Sequence, residues 1–203
     1  MIKPVVQAVS VLFAFPFALL AGFGRFESSF QLFSHAFALI PGIPGDYLRV
    51  AYYYLTLDHC SLNSRISFGT FFAQSSCTVN QGVYIGAYCV LGACDIGERS
   101  QIASHVQILA GRRQHPRSAD GRIMGTDKSL LTPIAIGKDG WVGASAVVMA
   151  DIGARTTIGA GAVVTRPIPS GVVAAGNPAR ILKQAVAARA LQNSASEKEE
   201  LVC

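Results

Sequence analysis

The chain has 203 residues, only 14% of them charged, and a mean hydropathy of +0.39, more apolar than a soluble domain of this size requires, so part of it is expected to meet lipid. Its formal net charge of +5 includes no Lys/Arg run with interleaved aromatics, which points away from nucleic acid and suits an anionic cofactor or membrane surface. Five cysteines (Cys60, Cys77, Cys89, Cys94 and Cys203), odd in number and without a CxxC pair, indicate neither a disulfide framework nor a zinc site.

From Pro4 to Gly24 no residue is charged, and a run of ~20 apolar residues is long enough to span a bilayer. No small-x-small cleavage site follows it cleanly, which argues against a secretory leader. Ser28 to Tyr54 is a second apolar, aromatic-rich stretch, broken by Pro41, Gly42, Pro44 and Gly45. Residues 1–54 therefore read as a hydrophobic, helical, membrane-associated region. It is either a hairpin or one anchor followed by an interfacial helix. His35 inside it reads as a packed or interfacial histidine, and His59 carries no assignment.

Residues 55–178 read as one coil. Phe68-Gly69, Ile85-Gly86, Leu91-Gly92 and Ile96-Gly97 begin rungs, and Ile96, Ile102 and Ile108 keep a strict six-residue step. Arg65, Asp95, Glu98 and Arg99 fit a solvated outer face. The clearest stretch follows, with aliphatics at Ile136, Val142 and Val148 and again at Ile152, Ile158 and Val164. A glycine follows four of those six, and the step from Val148 to Ile152 is a shortened turn. Neither a helix nor a single strand yields a period of six. A triangular prism does, with a short strand on each face, a turn at each corner and one aliphatic per face pointing inward. Cys77, Cys89 and Cys94 fit small-residue places in it.

Between Gly111 and Pro133 the periodicity stops. A loop of that length inside a compact domain is usually functional or disordered, and this one carries His115-Pro116 with Arg112, Arg113, Arg117 and Arg122. After Val164, Pro167 and Pro169 end the periodicity, Ala179 to Leu191 reads as a short helix, and the polar tail frays. Residues 179–203 thus form a C-terminal helix and tail.

The rung IGERSQIASHVQI, the loop bearing Gln114-His115-Pro116, IGKDGWVGASAVV, IGAGAVVTRPIP and the closing AAGNPARIL, in that order, resemble the hexapeptide-repeat acyltransferase superfamily, specifically its maltose, galactoside and polysaccharide O-acetyltransferase branch. The resemblance covers roughly residues 65–183. It implies an all-β, left-handed parallel β-helix with an N-terminal membrane-associated helical segment and a short C-terminal helix. It also implies a homotrimer with sites in clefts between prisms, and acetyl-CoA as the acyl donor, with no metal.

The same resemblance makes His115 the general base. An imidazole within reach of a sugar hydroxyl takes its proton as the oxygen attacks a thioester, and backbone N–H groups of a rigid coil can hold the oxyanion. No serine or cysteine sits in a nucleophile motif, so no covalent enzyme intermediate is required. His105, in the rung SHVQI, is the rival and is expected to line or orient the cleft. Gln74 and Ser76 are the best match to the acceptor-holding asparagine of the branch, though the number of rungs to His115 differs. For acyl-CoA the pattern matches Trp141, Gly143, Ala144, Ala160, Thr165, Arg166 and Arg180, with Lys183 also placed for the phosphates. Prism corners need small residues in any case, so the glycine and alanines carry little weight alone.

The expected activity is acetyl transfer to a saccharide hydroxyl, on a lipid-linked exopolysaccharide, capsule or lipopolysaccharide precursor, at the cytoplasmic face of the inner membrane. The alternatives are N-acylation of an amino sugar and a non-catalytic β-helix scaffold.

Overall fold

The computed structural model describes residues 2–110, 115–125 and 130–184. From His59 onward the chain winds through about six turns of a parallel β-solenoid with three flat faces, the expected left-handed β-helix. Cys60, Val79, Ile96, Ile136, Ile152 and Ile168 point inward from the first face. Ile66, Ile85, Ile102, Val142, Ile158 and Ala174 do so from the second. Phe72, Leu91, Ile108, Val148 and Val164 line the third. All are buried, so the period of six is the spacing of one inward side chain per face.

The corners follow from backbone geometry. The third residue after an inward aliphatic on the first or second face takes positive φ: Arg99 (57°), His105 (61°), Asp139 (58°), Ser145 (60°) and Arg155 (54°). A non-glycine residue there costs roughly 1–2 kcal/mol. Inter-coil hydrogen bonds such as His105 N–H to the Ala87 carbonyl (2.8 Å) and Ser145 N–H to the Ser104 carbonyl (3.0 Å) hold the conformation. A glycine after the aliphatic has a different cause. At Gly137 a Cβ would come within 2.3 Å of the Ala154 nitrogen, so the backbone of the next coil occupies the space of a side chain.

Three expectations change. Phe68-Gly69 begins no rung: Ile66 and Phe72 are the inward residues, and the Phe68 ring sits edge-on to Tyr88 at a corner. Pro167 and Pro169 do not end the coil, because Ile168 between them bridges Ile152 and Val172–Ala175 pairs with the preceding turn. Ala179 to Leu191 does not begin as a helix. Arg180–Gln184 is a strand antiparallel to Val172–Ala175, covering the C-terminal edge of the second-face sheet. Residues 185–203, with Cys203 and the rest of the expected helix and tail, lie outside the described residues.

The N-terminal region is three helices, α1 (Ile2–Leu20), α2 (Glu27–Ala38) and α3 (Gly42–Thr56). A hairpin would need two spanning legs. Among the described residues α1 alone is long and apolar enough to cross a membrane, with a mean hydropathy of 1.7. The second apolar stretch is instead two helices of 12 and 15 residues that cap the first coil. Tyr53 packs against Phe72 with ring centroids 4.7 Å apart, and its hydroxyl meets Ser34 Oγ at 2.7 Å. Arg49, fully buried, donates to the carbonyls of Ile66 (2.8 Å) and Ile40 (2.7 Å) and to Asp46 (2.6 Å). His35 is exposed on α2, its ring edge-on to Phe71.

α1 is built inside out. Its buried residues are Ser10, Ala14 and Ala18, four apart, while Val9, Leu12, Phe13 and Leu19 face outward, each more than half exposed. Small residues on the inner side let the helix lie close to α3. The large apolar ones are left for a surrounding other than this chain.

Candidate active site

The loop leaves the coil at the corner between the third and first faces. Its two roots are tied by Thr132 N–H donating to the Ala110 carbonyl (3.2 Å). Arg112, Arg113 and Gln114 lie outside the described residues. From His115 to Met124 the chain doubles back: Arg117 bridges Ile123, and Met124 N–H donates to the Pro116 carbonyl (2.8 Å). The turn is fastened by Arg117 Nη1 on the Gly121 carbonyl (2.8 Å), by Ser118 on the Asp120 carboxylate, and by an Arg122–Asp120 ion pair at 2.7 Å.

At the base of this hairpin His115 Nδ1 lies 3.2 Å from the Met124 carbonyl oxygen. A carbonyl can only accept, so the contact selects the tautomer with the proton on Nδ1 and leaves the Nε2 lone pair for another proton. The ring is exposed. A histidine with one nitrogen tied and the other open is equipped to act as a base.

His105 stands elsewhere. It occupies the corner between the second and third faces, exposed, its ring stacked on Tyr88 at 5.3 Å with 13° between planes. One coil on, the same corner carries Ala144 and Ser145, and beyond them Ala160 and Gly161. Trp141, half exposed, flanks this corner on the second face, where Arg180 and Lys183 of the last strand also lie. Arg180 and Lys183 are exposed, and Arg180 Nη1 bonds the Ala179 carbonyl at 3.0 Å.

Thr165 and Arg166 follow Val164 on the opposite side of the third face, at the corner from which the His115 loop springs. The residues expected to hold acyl-CoA thus divide between two corners of one prism. Gly143 is buried, and its place is fixed by the coil above it.

Gln74 and Ser76 sit on the loop's corner, two coils toward the helices. They line a cavity of about 600 Å³ with Arg25, Gln31, Leu131 and Pro133. Nothing in the residue pattern marks Gln31, which enters from α2 and donates to the Ala73 carbonyl (3.2 Å), or the Met124 carbonyl, a backbone group.

The thiols are poor nucleophile candidates. Burial pushes Cys60 up to about 12 and raises Cys89. Cys94 is raised well above the ordinary range by its hydrogen bond with Cys77 and then by burial. Cys77, Cys89 and Cys94 are buried and unpaired, filling coil places as expected. Among the described residues no group of three or more His, Cys, Asp or Glu converges as a metal would require.

No protein-family model matches the chain. It is 37% identical over 91 residues to the galactoside O-acetyltransferase of Escherichia coli, covering 44% of this chain and 43% of that protein. It is 41% identical over 56 residues to a 2,3,4,5-tetrahydropyridine-2,6-dicarboxylate N-acetyltransferase of Staphylococcus aureus, 27% of this chain and 23% of that one. The chain spans no more than half the length of the curated relatives it matches. Among solved structures, a point mutant of AntD, an N-acyltransferase from Bacillus cereus, with dTDP-4-amino-4,6-dideoxyglucose and coenzyme A, shares the fold at a TM-score of 0.52 and 17% identity, over 67% of this chain and 78% of that chain.

Proposed function

We propose, from a coil similar to those of the hexapeptide-repeat acyltransferases, that this protein moves an acetyl group from acetyl-CoA to a hydroxyl of a saccharide. The observation that carries the reading is the Nδ1 contact of His115 with the Met124 carbonyl, on the loop that interrupts the coil. Nε2 takes the proton of the acceptor hydroxyl as its oxygen bonds to the thioester carbonyl. The C–S bond then breaks, and the proton passes to the departing thiolate of CoA. No enzyme nucleophile takes part, in keeping with the raised thiols.

Acetyl-CoA supplies the acyl group. Exposed Arg166, Arg180 and Lys183 suit its phosphates, and the half-exposed Trp141 beside Ala144 and Ala160 suits its thin pantetheine arm. Because the His115 loop, Thr165 and Arg166 share one corner while Trp141, Ala144 and Ala160 flank another, a complete site takes two copies. One prism offers its loop corner and a neighbour the corner with His105. A closed homotrimer provides three such clefts. His105 then faces the cleft as an orienting group.

The outward apolar face of α1 supports a place at the membrane, and the need for acetyl-CoA sets the coil on the cytoplasmic side of the inner membrane. An acceptor carried on a lipid, such as an exopolysaccharide, capsule or lipopolysaccharide precursor, brings the reaction to that surface. The test is release of CoA thiol from acetyl-CoA by membranes containing the full chain, with a panel of free and lipid-linked saccharides. Acceptor-dependent release is expected. No release, together with no protection of the protein by CoA against unfolding, would make the coil a scaffold.

A further inference from the structure

A cavity of about 380 Å³ lies at the corner between the first and second faces, away from the His115 loop. It is walled by Lys3 and Gln7 of α1, Asp46 and Tyr47 of α3, and Asn63 and Arg65 of the first coil turn. None of these residues enters the proposed transfer. The Asp46 carboxylate is shared by the buried Arg49 (2.6 Å) and by Arg65 Nε (2.8 Å). Arg49 therefore cancels Asp46, and Lys3 and Arg65 leave the cavity net positive. The Arg65 Nη groups and the Lys3 ammonium have no hydrogen-bond or ion-pair partner among the described residues. Gln7 turns its Nε2 to the Leu62 carbonyl (2.6 Å), which leaves its Oε1 to accept.

The same Gln7 hydrogen bond decides how α1 lies. It ties the first turns of α1 to Leu62, and just past the other end Ser75 Oγ donates to the Gly24 carbonyl (2.9 Å). Leu62 and Ser75 belong to one coil turn. A helix of 19 residues is about 28 Å long, so one held at both ends to a single turn lies across the coil axis. Its outward Val5, Leu12 and Leu19, seven residues apart and each more than half exposed, then face the same way along the end of the prism. Such a helix suits the plane of a membrane surface, at the depth of the lipid phosphates, and does not cross the bilayer. Apolar side chains continue to the cavity: Ile43, 69% exposed, lines it, and the exposed Ile2 adjoins Lys3.

We infer that this cavity holds the phosphate of an anionic phospholipid in the leaflet on which α1 lies flat. Lys3 and the Arg65 Nη groups meet the phosphate oxygens, head-group hydroxyls turn to Gln7 Oε1 and Asn63, and the acyl chains pass over Ile43 and Ile2. The inference rests on the membrane placement proposed for α1 and deepens it, by naming a site and a lipid class. It also stands the coil end-on to the membrane.

The test floats the full chain on vesicles of phosphatidylcholine, alone or mixed with phosphatidylglycerol. The anionic lipid should raise the partition coefficient about tenfold, and Lys3→Gln with Arg65→Gln should remove most of that gain, a basic residue at the surface being worth about fivefold. Lys138→Gln with Arg155→Gln removes the same charge from exposed positions farther from the cap and should leave the gain intact. Arg65→Lys keeps the charge without the planar fork, so it should lose part of the gain. Equal flotation on the two vesicles, or a gain that survives Lys3→Gln with Arg65→Gln, overturns the site while the membrane placement stands. Flotation on neither overturns both. Excess glycerol phosphate that abolishes the gain, with flotation on phosphatidylcholine retained, would assign the cavity to a soluble phosphate ester and overturn the lipid.

The flat placement has its own readout. Nitroxides attached at Val5→Cys, Leu12→Cys and Leu19→Cys, each with Cys203→Ser, should report one shallow depth. Depths that run from one interface to the other would mean that α1 crosses the bilayer, and would overturn the inference.

Discussion

A Cβ built on Gly143 would stand 2.5 Å from the backbone nitrogen of Ala160, one coil further on. The glycine is therefore dictated by the stacking of coils, whatever ligand passes nearby. Gly143→Ala should cost about 1–3 kcal/mol, the range for overpacking. Gly161→Ala, at φ +67° with nothing within 4 Å of the new carbon, should cost only the left-handed backbone strain of about 1 kcal/mol. Urea unfolding of both variants checks the order, and equal costs would contradict it.

Arg49 holds the helical cap to the coil. Its guanidinium serves the carbonyls of Phe37, Ile40 and Ile66 together with Asp46, at zero exposure. Arg49→Met should destabilise the protein by about 3–5 kcal/mol, because it leaves several buried carbonyls without a donor, while Asp46 keeps its 2.8 Å pair with Arg65. Arg49→Lys should recover little, since a single ammonium cannot reproduce the planar fork. Thermal unfolding of the two variants beside the parent decides this.

The Arg99–Asp139 pair on the outer corner gives a pH signature. Arg99 Nε and Nη2 meet the two carboxylate oxygens at 2.7 and 2.9 Å, and this hydrogen bonding holds the Asp139 carboxyl below its ordinary value of 3.8. A depressed acid stabilises the fold above its unfolded-state pKa and loses that contribution as pH falls through the folded one. The Tm difference between parent and Arg99→Ala should therefore be full near neutrality and vanish as the solution is acidified below 3.8. Both groups are exposed, so the difference is small and shrinks with salt.

The outward face of α1 yields a prediction about location. Leu12 (74% exposed) and Leu19 (55%) touch little of the chain, so Leu12→Lys with Leu19→Lys should leave the fold intact. The double variant should release the protein from membranes in a flotation assay. Retention of the double variant in the floated fraction would mean that α1 is not the anchor.

The coil was legible from sequence because its core is periodic: one aliphatic per face forces a step of six wherever the turn has standard length. Legibility failed where turn length or chemistry departs from that rule. Phe68-Gly69 imitates the aliphatic-glycine pair at a corner. Prolines look like terminators, yet Pro167 and Pro169 flank the inward Ile168 and leave its place on the first face open. The strand Arg180–Gln184 is set by an unpaired sheet edge, a tertiary demand that local propensity does not carry. The corner positions Tyr88, Arg99, His105, Asp139 and Ser145 share a backbone conformation and no side-chain type, so composition could not mark them.

The site was legible in part. His115 was visible as the histidine of an interruption, but its tether is the Met124 carbonyl, and a backbone acceptor leaves no trace in residue identity. The separation of His105 from the loop corner follows from counting faces. It required the true start of each turn, which the irregular early coils obscured. Gln31 and Arg25 meet Gln74 only because α2 folds back onto the first coil turn.

The most direct test of the account is acceptor-dependent thiol release from acetyl-CoA by membranes bearing the parent chain and, separately, its His115→Ala variant. Loss of the general base should lower turnover about 10²–10⁴-fold, with CoA binding and the unfolding midpoint unchanged. Equal release by the two proteins would remove His115 from the chemistry and contradict the mechanism proposed here.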